Sequence, residues 1–86
     1  MASVNIRYWA AAKDAAGVAE EPVDARTLAD AISVACSRRV GDSRFAAVLA
    51  RSSFLVDGVQ AGHQAAEEFA LPDKAVIEVL PAFAGG

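Results

Sequence analysis

The sequence is short of several features that mark common functional classes. Its 86 residues contain one cysteine, one histidine, and eight Lys and Arg against eleven Asp and Glu. A single thiol, Cys36, forbids an internal disulfide and cannot build a metal cage, which agrees with a reducing compartment. A net charge of −3 leaves no polybasic surface that would neutralise a phosphate backbone. We therefore expect no binding to nucleic acid.

Long apolar runs and export signals are also lacking. No stretch approaches the ~18–20 consecutive apolar residues of a membrane span, and no basic start precedes an apolar segment. A chain of this length has room for one small domain. The expectation is a soluble cytoplasmic protein that does not bind membranes.

Side chains that carry catalysis are few. His63 stands in an Ala-Gly-His-Gln context with no second ligand near it in sequence, so we interpret it as an exposed loop residue. Cys36 lies on the apolar stripe of a predicted helix, where burial disfavours the thiolate and a core role is favoured. No nucleotide-binding loop or nucleophile elbow is present. We expect no metal and no bound cofactor.

Two pairs of adjacent carboxylates are also candidates for acid–base catalysis. The side chains of Glu20-Glu21 and Glu67-Glu68 diverge, whether on a strand or on a helix, so neither pair presents two carboxylates to one site. We interpret both pairs as solvated surface.

Hydrophobic periodicity divides the chain into short elements. Strict alternation of Val4, Ile6 and Tyr8 with polar neighbours predicts a half-buried first strand. Pro22 lacks an N–H and confines the next strand to a sheet edge. The predicted elements are a strand over 3–9, a loop with some helical character over 10–17, an edge strand over 20–25, a helix over 27–39, a shorter helix over 43–51, a hairpin over 54–60, a helical turn over 65–70 and a last strand over 75–80.

The helix over 27–39 has the strongest pattern. Thr27 can cap its first turn together with Asp30, and Arg38 and Arg39 stand at the negative end of its macrodipole. Its apolar residues recur at i, i+3, i+4, i+7 and i+8, which is one stripe of an α-helix. They are Leu28, Ala31, Ile32, Ala35 and Cys36.

These elements are most economically arranged as an α+β domain with a β-grasp (ubiquitin-like) roll. In that fold a mixed sheet has one main helix packed across one face, and the first and last strands are parallel neighbours in its centre. The Asp57-Gly58 turn predicts a hairpin within the sheet. We assign residues 1–80 to the domain and 81–86 to a flexible C-terminal tail.

The unusual feature is that tail, which has no charged side chain and ends in Gly-Gly. A frayed terminus is the plain interpretation. However, residues 81–86 can extend about 20 Å, and glycines, having no Cβ, can enter a channel too narrow for other residues. The Gly86 carboxylate could thus be delivered into a partner's active site. Because an ionised carboxylate is a poor electrophile, its activation as an acyl-adenylate must come from another protein.

The same topology predicts a docking surface. Trp9 and Leu80 would lie near the C-terminal ends of two parallel strands, on the sheet face away from the helix and beside the root of the tail. Exposed aromatic and aliphatic side chains of this kind often dominate an interface. The alternative is that Trp9 covers the sheet edge. Phe54 and Val56 belong either to this patch or to the core.

A series of short motifs runs through nearly the whole chain. They are Arg7-Tyr8-Trp9-Ala10, Lys13-Asp14, Gly17, Thr27, Val56-Asp57-Gly58, Val79-Leu80-Pro81 and Gly85-Gly86. Taken together and in this order, these motifs resemble the small subunit of molybdopterin synthase. Such an order is typical of the sulfur-carrier branch of ubiquitin-like proteins.

The resemblance implies that an E1-like adenylyltransferase/sulfurtransferase uses ATP to activate the Gly86 carboxylate, which becomes a thiocarboxylate. The tail then enters the large synthase subunit, where the sulfur passes to cyclic pyranopterin monophosphate to build molybdopterin. Catalytic side chains would belong to the large subunit, so this chain would be a non-catalytic subunit. The inserted residues would be Pro81, Ala82, Phe83, Ala84 and Gly85, with Gly86 carrying the sulfur.

The sequence departs from the family pattern at three places. Ala82 replaces a second proline, and Pro72-Asp73-Lys74 replaces a Gly-Asp-Glu turn. Phe83 is bulkier than the usual valine, and we expect it to fill a partner pocket.

Other functions remain open at this stage. Sulfur carriers of thiamine and cysteine biosynthesis end in the same diglycine on the same fold. A ubiquitin-like protein modifier and an interaction domain with an inert tail are further alternatives.

Overall fold

A computed structural model describes residues 2–61 and 69–81 of the chain. The interpretations of His63, Glu67-Glu68 and residues 82–86 lie outside the described residues, as does most of the helical turn predicted over 65–70. The elements in chain order are β1 (Ala2–Tyr8), α1 (Ala10–Ala16), β2 (Glu20–Ala25), α2 (Leu28–Ser37), α3 (Ser43–Ala50), β3 (Ser52–Val56), β4 (Val59–Ala61) and β5 (Val76–Pro81).

The strands form one mixed sheet in the order β2-β1-β5-β3-β4. β1 and β5 pair in parallel, with Tyr8 opposite Val79, and the other pairings are antiparallel. The predicted β-grasp arrangement is therefore confirmed, with β5 as the central strand. Among the described residues, no helix is long and apolar enough to cross a bilayer.

Alternation along the strands decides which side chains form the core. Val4, Ile6 and Tyr8 are buried on β1, as predicted. Phe54 and Val56, whose place the sequence left open, are also buried and belong to the core. Each such side chain contributes roughly 1.5–3 kcal/mol through removal from water. Their partners include Val23, Ala25, Leu28, Ala31, Ala35, Phe45, Leu49, Ile77 and Val79.

β2 is an edge strand, as the proline predicts. Pro22 lies opposite Asn5 and has no N–H to offer to a further strand. Its carbonyl oxygen accepts a hydrogen bond from Arg38 Nη1 at 2.7 Å. Both features discourage the pairing of another chain at this edge.

The predicted hairpin at Asp57-Gly58 is confirmed. Both residues have positive φ, 50° and 83°, as a type I′ turn requires. The Asp57 N–H donates to Val76 O, and the Val76 N–H donates to Asp57 Oδ1, both at 2.9 Å. The turn between β3 and β4 is thereby joined to the central strand.

Residues 10–16 form a regular helix, where the sequence predicted a loop with some helical character. The Trp9 carbonyl accepts from the N–H groups of Ala12 and Lys13, and Gly17 ends the helix with a φ of 80°. Ala12 is completely buried. Seven residues are too few for a helix that is stable in isolation, so α1 is stabilised mainly by its packing against the sheet.

The main helix and the helix after it have side-chain caps. Thr27 Oγ1 accepts from the Asp30 N–H at 3.2 Å, which confirms the predicted cap of α2. Asp42 Oδ1 accepts from the Phe45 N–H at 2.9 Å and caps α3. Each cap satisfies a backbone donor that the helix itself leaves unpaired.

Replacing Thr27 tests the cap of α2. We expect T27A to lower the free energy of unfolding by about 1 kcal/mol, because the Asp30 N–H loses its acceptor. Ser33→Ala is the control, since Ser33 is exposed within the same helix and alanine is a better helix former. Urea denaturation measures both variants. An equal loss in the two would contradict the assigned cap.

Candidate functional site

The helices pack on one face of the sheet, and the other face is the candidate docking site. Val76, Glu78 and Leu80 project there from β5, since Ile77 and Val79 face the core. All three are half-buried. We call this side of the sheet the outer face.

Trp9 lies on the outer face, where β1 ends. Its backbone N–H donates to Val79 O at 3.2 Å, and its indole Nε1–H donates to Glu78 Oε2 at 3.1 Å. The side chain is 46% exposed. Because β1 lies between β2 and β5, Trp9 does not cover a sheet edge. The structure places Trp9 and Leu80 where the sequence predicted, and their role as a partner interface stays a prediction.

The tail starts from the middle of the sheet. Pro81, which the sequence analysis counts with the tail, is the last residue of β5 and pairs with Ser52. Residues 82–86 lie outside the described residues, so the roles of Gly85 and Gly86 stay predictions. The structure does show where the tail begins. It begins at the end of the central strand, at the same end of the sheet as Trp9.

A charged cluster on the helical side of the sheet was missed by the sequence analysis. Glu21 shares the inner face of β2 with Val23, and its side chain is only 12% exposed. Its carboxylate accepts from the Tyr8 hydroxyl, and it lies 3.1 Å from Arg38 Nη1 and 2.8 Å from Arg39 Nη2. The interpretation of Glu21 as solvated surface was therefore wrong. Burial of Glu21 could have been predicted from its position two residues before Val23, because residues two apart on a strand face the same side and Val23 faces the core.

Arg39 connects several elements through this cluster. Its Nε donates to Ala16 O at 3.2 Å and its Nη1 to Ala35 O at 2.9 Å, which satisfies end carbonyls of α1 and α2. The guanidinium also stacks 4.4 Å from the centre of the Phe45 ring on α3. One side chain thus joins three helices to Glu21 on β2.

The electrostatics of the cluster are those of a saturated network. Burial raises the pKa of the Glu21 carboxyl, but hydrogen bonds from Tyr8, Arg38 and Arg39 outweigh burial and hold that pKa below its usual range. Burial and the bond to Glu21 raise the pKa of the Tyr8 hydroxyl. Each group is held by the others, so the cluster stabilises the fold and has no free acid or base to offer.

The remaining candidates for chemistry are weak. Cys36 packs against the core, and burial raises the pKa of its thiol, which leaves little thiolate. Within residues 2–61 and 69–81, no three His, Cys, Asp or Glu side chains are grouped so as to hold a metal ion. The adjacent carboxylates of Glu20 and Glu21 diverge as predicted, since Glu20 pairs with Arg7 instead.

Solved structures with the same fold are available for comparison. Small archaeal modifier protein 1 from Methanosarcina acetivorans is 22% identical, with a TM-score of 0.82 over 100% of this chain and 98% of that chain. A putative molybdopterin converting factor subunit 1 from Pyrococcus furiosus is 21% identical, with a TM-score of 0.77 over 96% of this chain and 100% of that chain.

A third similar structure is a protein–protein complex. It contains subunits 1 and 2 of molybdopterin-converting factor from Helicobacter pylori 26695, and the matched chain is 17% identical, with a TM-score of 0.70 over 98% of this chain and 99% of that chain. No protein-family model and no curated protein sequence matches. The chain therefore has the β-grasp, ubiquitin-like fold that is found in small archaeal modifier protein 1 and in molybdopterin converting factor subunit 1.

Proposed function

We propose that the chain is a sulfur carrier for molybdopterin synthesis. Its Gly86 thiocarboxylate donates sulfur to cyclic pyranopterin monophosphate while the domain is bound to the large subunit of molybdopterin synthase. The observation that supports this most is the place where the tail begins, at Pro81, which we call the tail root. Pro81 ends the central strand β5, at the same end of the sheet at which Trp9 and Leu80 lie on the outer face.

Residues 2–61 and 69–81 contain no group that could activate a carboxylate. The acid buried there, Glu21, is bound by Tyr8 and two arginines. An E1-like enzyme would supply the chemistry. The Gly86 carboxylate attacks ATP and releases pyrophosphate, and hydrosulfide supplied by a sulfur donor then displaces AMP from the acyl-adenylate. Loss of a proton from the resulting thioacid leaves Gly86 as a thiocarboxylate, ready for transfer.

The comparisons support the choice of partner. The similar Pyrococcus furiosus structure is called subunit 1 of a molybdopterin converting factor, and the Helicobacter pylori structure holds subunits 1 and 2 together. We infer that the large subunit docks on the outer face of this chain and receives its tail. The aromatic and aliphatic side chains there are of the kind that anchors protein interfaces.

A protein modifier is the second candidate function. It is favoured by the likeness to small archaeal modifier protein 1, whose TM-score is 0.82. A modifier would join Gly86 to lysine side chains of many proteins, so an immunoblot of cell lysate would show a ladder of conjugates. A carrier for molybdopterin alone predicts no such ladder.

Reconstitution tests the proposed pathway. The thiocarboxylated chain is mixed with the large subunit and cyclic pyranopterin monophosphate, and molybdopterin is measured. We expect a tight complex and product that depends on the thiocarboxylate. Parallel reactions replace the large subunit and the pterin precursor with O-phosphoserine and its sulfur-accepting enzyme, or with the thiamine precursor and its enzyme. Formation of cysteine, without molybdopterin in the first reaction, would assign the carrier to cysteine synthesis instead, and sulfur delivery to the thiamine precursor would assign it to that pathway.

Replacement of Trp9 tests the docking surface. We expect Trp9→Ala to weaken binding to the large subunit by about 2 kcal/mol, because exposed aromatic anchors contribute most to interfaces. The melting temperature should change little, since the side chain is 46% exposed in the free chain. Val40→Ala is the control, because Val40 is exposed in the turn between α2 and α3, away from the outer face. A larger loss of stability than of affinity would place Trp9 among the structural residues.

A further inference from the structure

Trp9 is unusual in being exposed and yet held in place. Its backbone is fixed on both sides, because the N–H donates to Val79 O and the carbonyl accepts from Ala12 and Lys13 at the start of α1. The indole has one polar atom, Nε1, and its N–H donates to Glu78 Oε2 at 3.1 Å. The two rotatable bonds of the side chain are therefore constrained by a single carboxylate.

Glu78 is well placed for this task. It occupies the central strand, half-buried on the outer face between Arg7 on β1 and Leu55 on β3. Arg7 would be its natural ionic partner, but the Arg7 guanidinium is bound by Glu20, with Nε and Oε2 3.3 Å apart. Among the described residues, the side-chain donor to the Glu78 carboxylate is the Trp9 indole. A charge-assisted bond of this kind is stronger than one between neutral groups.

A fixed orientation matters because binding orders side chains. An exposed aromatic side chain that is already held in its bound rotamer loses less conformational entropy when a partner covers it. Leu80 follows Glu78 on the same side of β5, so the bond keeps the indole on that side of the sheet. The carboxylate thereby sets the shape of the apolar surface next to the tail root.

We propose that Glu78 is a positioning residue that holds the Trp9 indole in its docking orientation for the partner protein. The identity of that partner, the large synthase subunit, rests on the function proposed above. The holding of the indole does not rest on it. A glutamine at position 78 keeps an acceptor oxygen for the indole, whereas an alanine removes it.

Trp9 is the single tryptophan of the sequence, so tryptophan fluorescence reports on the surroundings of this one side chain. We expect Glu78→Ala to raise the quenching of Trp9 fluorescence by acrylamide, to lower its anisotropy and to weaken the near-ultraviolet circular dichroism of the indole. Glu78→Gln should restore all three toward the wild-type values. Asp24→Ala is the control for the loss of one negative charge, because Asp24 is exposed on edge strand β2. Unchanged fluorescence in Glu78→Ala would overturn the proposal.

Calorimetry of binding to the large subunit tests the consequence. We expect Glu78→Ala to weaken affinity about tenfold, which corresponds to about 1.4 kcal/mol, and Glu78→Gln to recover most of it. In a Trp9→Phe background, which has no indole N–H, Glu78→Ala should have little further effect. An equal effect of Glu78→Ala in both backgrounds would show that the carboxylate acts on the partner directly, and would overturn the positioning role.

Fluorescence of the free chain and affinity for the large subunit distinguish a failure of the positioning role from a failure of the proposed function. If the wild-type chain does not bind the large subunit, the proposed function is wrong, and the fluorescence of the free chain still decides whether Glu78 holds Trp9. If binding is tight but Glu78→Ala matches the wild type in fluorescence and affinity, the function stands and the positioning role is wrong.

Discussion

Deletion of Gly86 is expected to reduce sulfur transfer at least about 100-fold, because misplacing a reacting group by even one ångström is known to cost that much. The shortened tail ends about 3.5 Å earlier, so its carboxylate stops short of the activating enzyme and of the pterin precursor. The last strand, β5, ends at Pro81, and its pairing with β1 and β3 uses residues no later than Pro81. The melting temperature and the affinity for the large subunit should therefore stay close to those of the full chain.

Two further variants separate the length of the tail from its composition. Ala84→Gly keeps the length and should retain transfer, whereas one glycine added after Gly86 should abolish it. Transfer is measured as molybdopterin formed per carrier, with melting temperatures recorded in parallel. Unfolding of the Gly86 deletion would make the tail a structural element. Undiminished transfer by the deletion, or by the extended chain, would rule out Gly86 as the carrier.

Glu21→Ala is expected to be the most destabilising of the single substitutions considered. It leaves Arg39, whose side chain is 13% exposed, without its carboxylate, and breaking such a pair from one side costs about 3 kcal/mol. The neighbouring Glu20→Ala is the matched control. Glu20 and Arg7 form a pair in which both side chains are about half exposed, and such pairs contribute less than about 1 kcal/mol. Denaturant titration that ranked Glu20→Ala as the larger loss would contradict the role given to the cluster.

The same cluster predicts how stability depends on pH. Because folding lowers the pKa of Glu21, its contribution is fully present above the ordinary glutamate pKa of about 4.3 and is lost as the pH falls through the lowered value. Glu21→Gln removes this titration. The free energy of unfolding of the variant should fall less steeply than that of wild type between neutral and acid pH. Parallel curves would show that Glu21 does not have a lowered pKa.

Periodicity predicted most of the fold correctly because the relevant signals are local. The apolar stripe of α2, the Asp57-Gly58 turn and the alternation of β1 depend on residues close in sequence. The helix over 10–16 was predicted only as a loop with some helical character, because its stability comes from contacts across the fold. Ala12 is fully buried, and α1 packs against α3 and β5, which follow much later in the chain. An alanine-rich heptamer alone gives no sign of that packing.

The candidate site was predicted only in part, for a similar reason. Trp9 and Leu80 follow from strand parity and from the parallel pairing of β1 with β5. The hydrogen bond from Trp9 to Glu78 could not be predicted in this way, since it joins side chains 69 positions apart in the sequence. Glu21 and Arg39 could have been paired, because Glu21 continues the inward pattern of β2 and Arg39 lies three residues beyond Cys36 on the apolar stripe.

The central claim is that the reactive group of this protein is the main-chain carboxylate of Gly86. Its direct test is the intact mass of the chain after co-production with an E1-like activating enzyme and a sulfur donor. The account predicts a gain equal to the difference between a sulfur and an oxygen atom, which fragmentation locates on Gly86. A chain that keeps its unmodified mass, although both enzymes are active on a known carrier in the same preparation, would contradict the account.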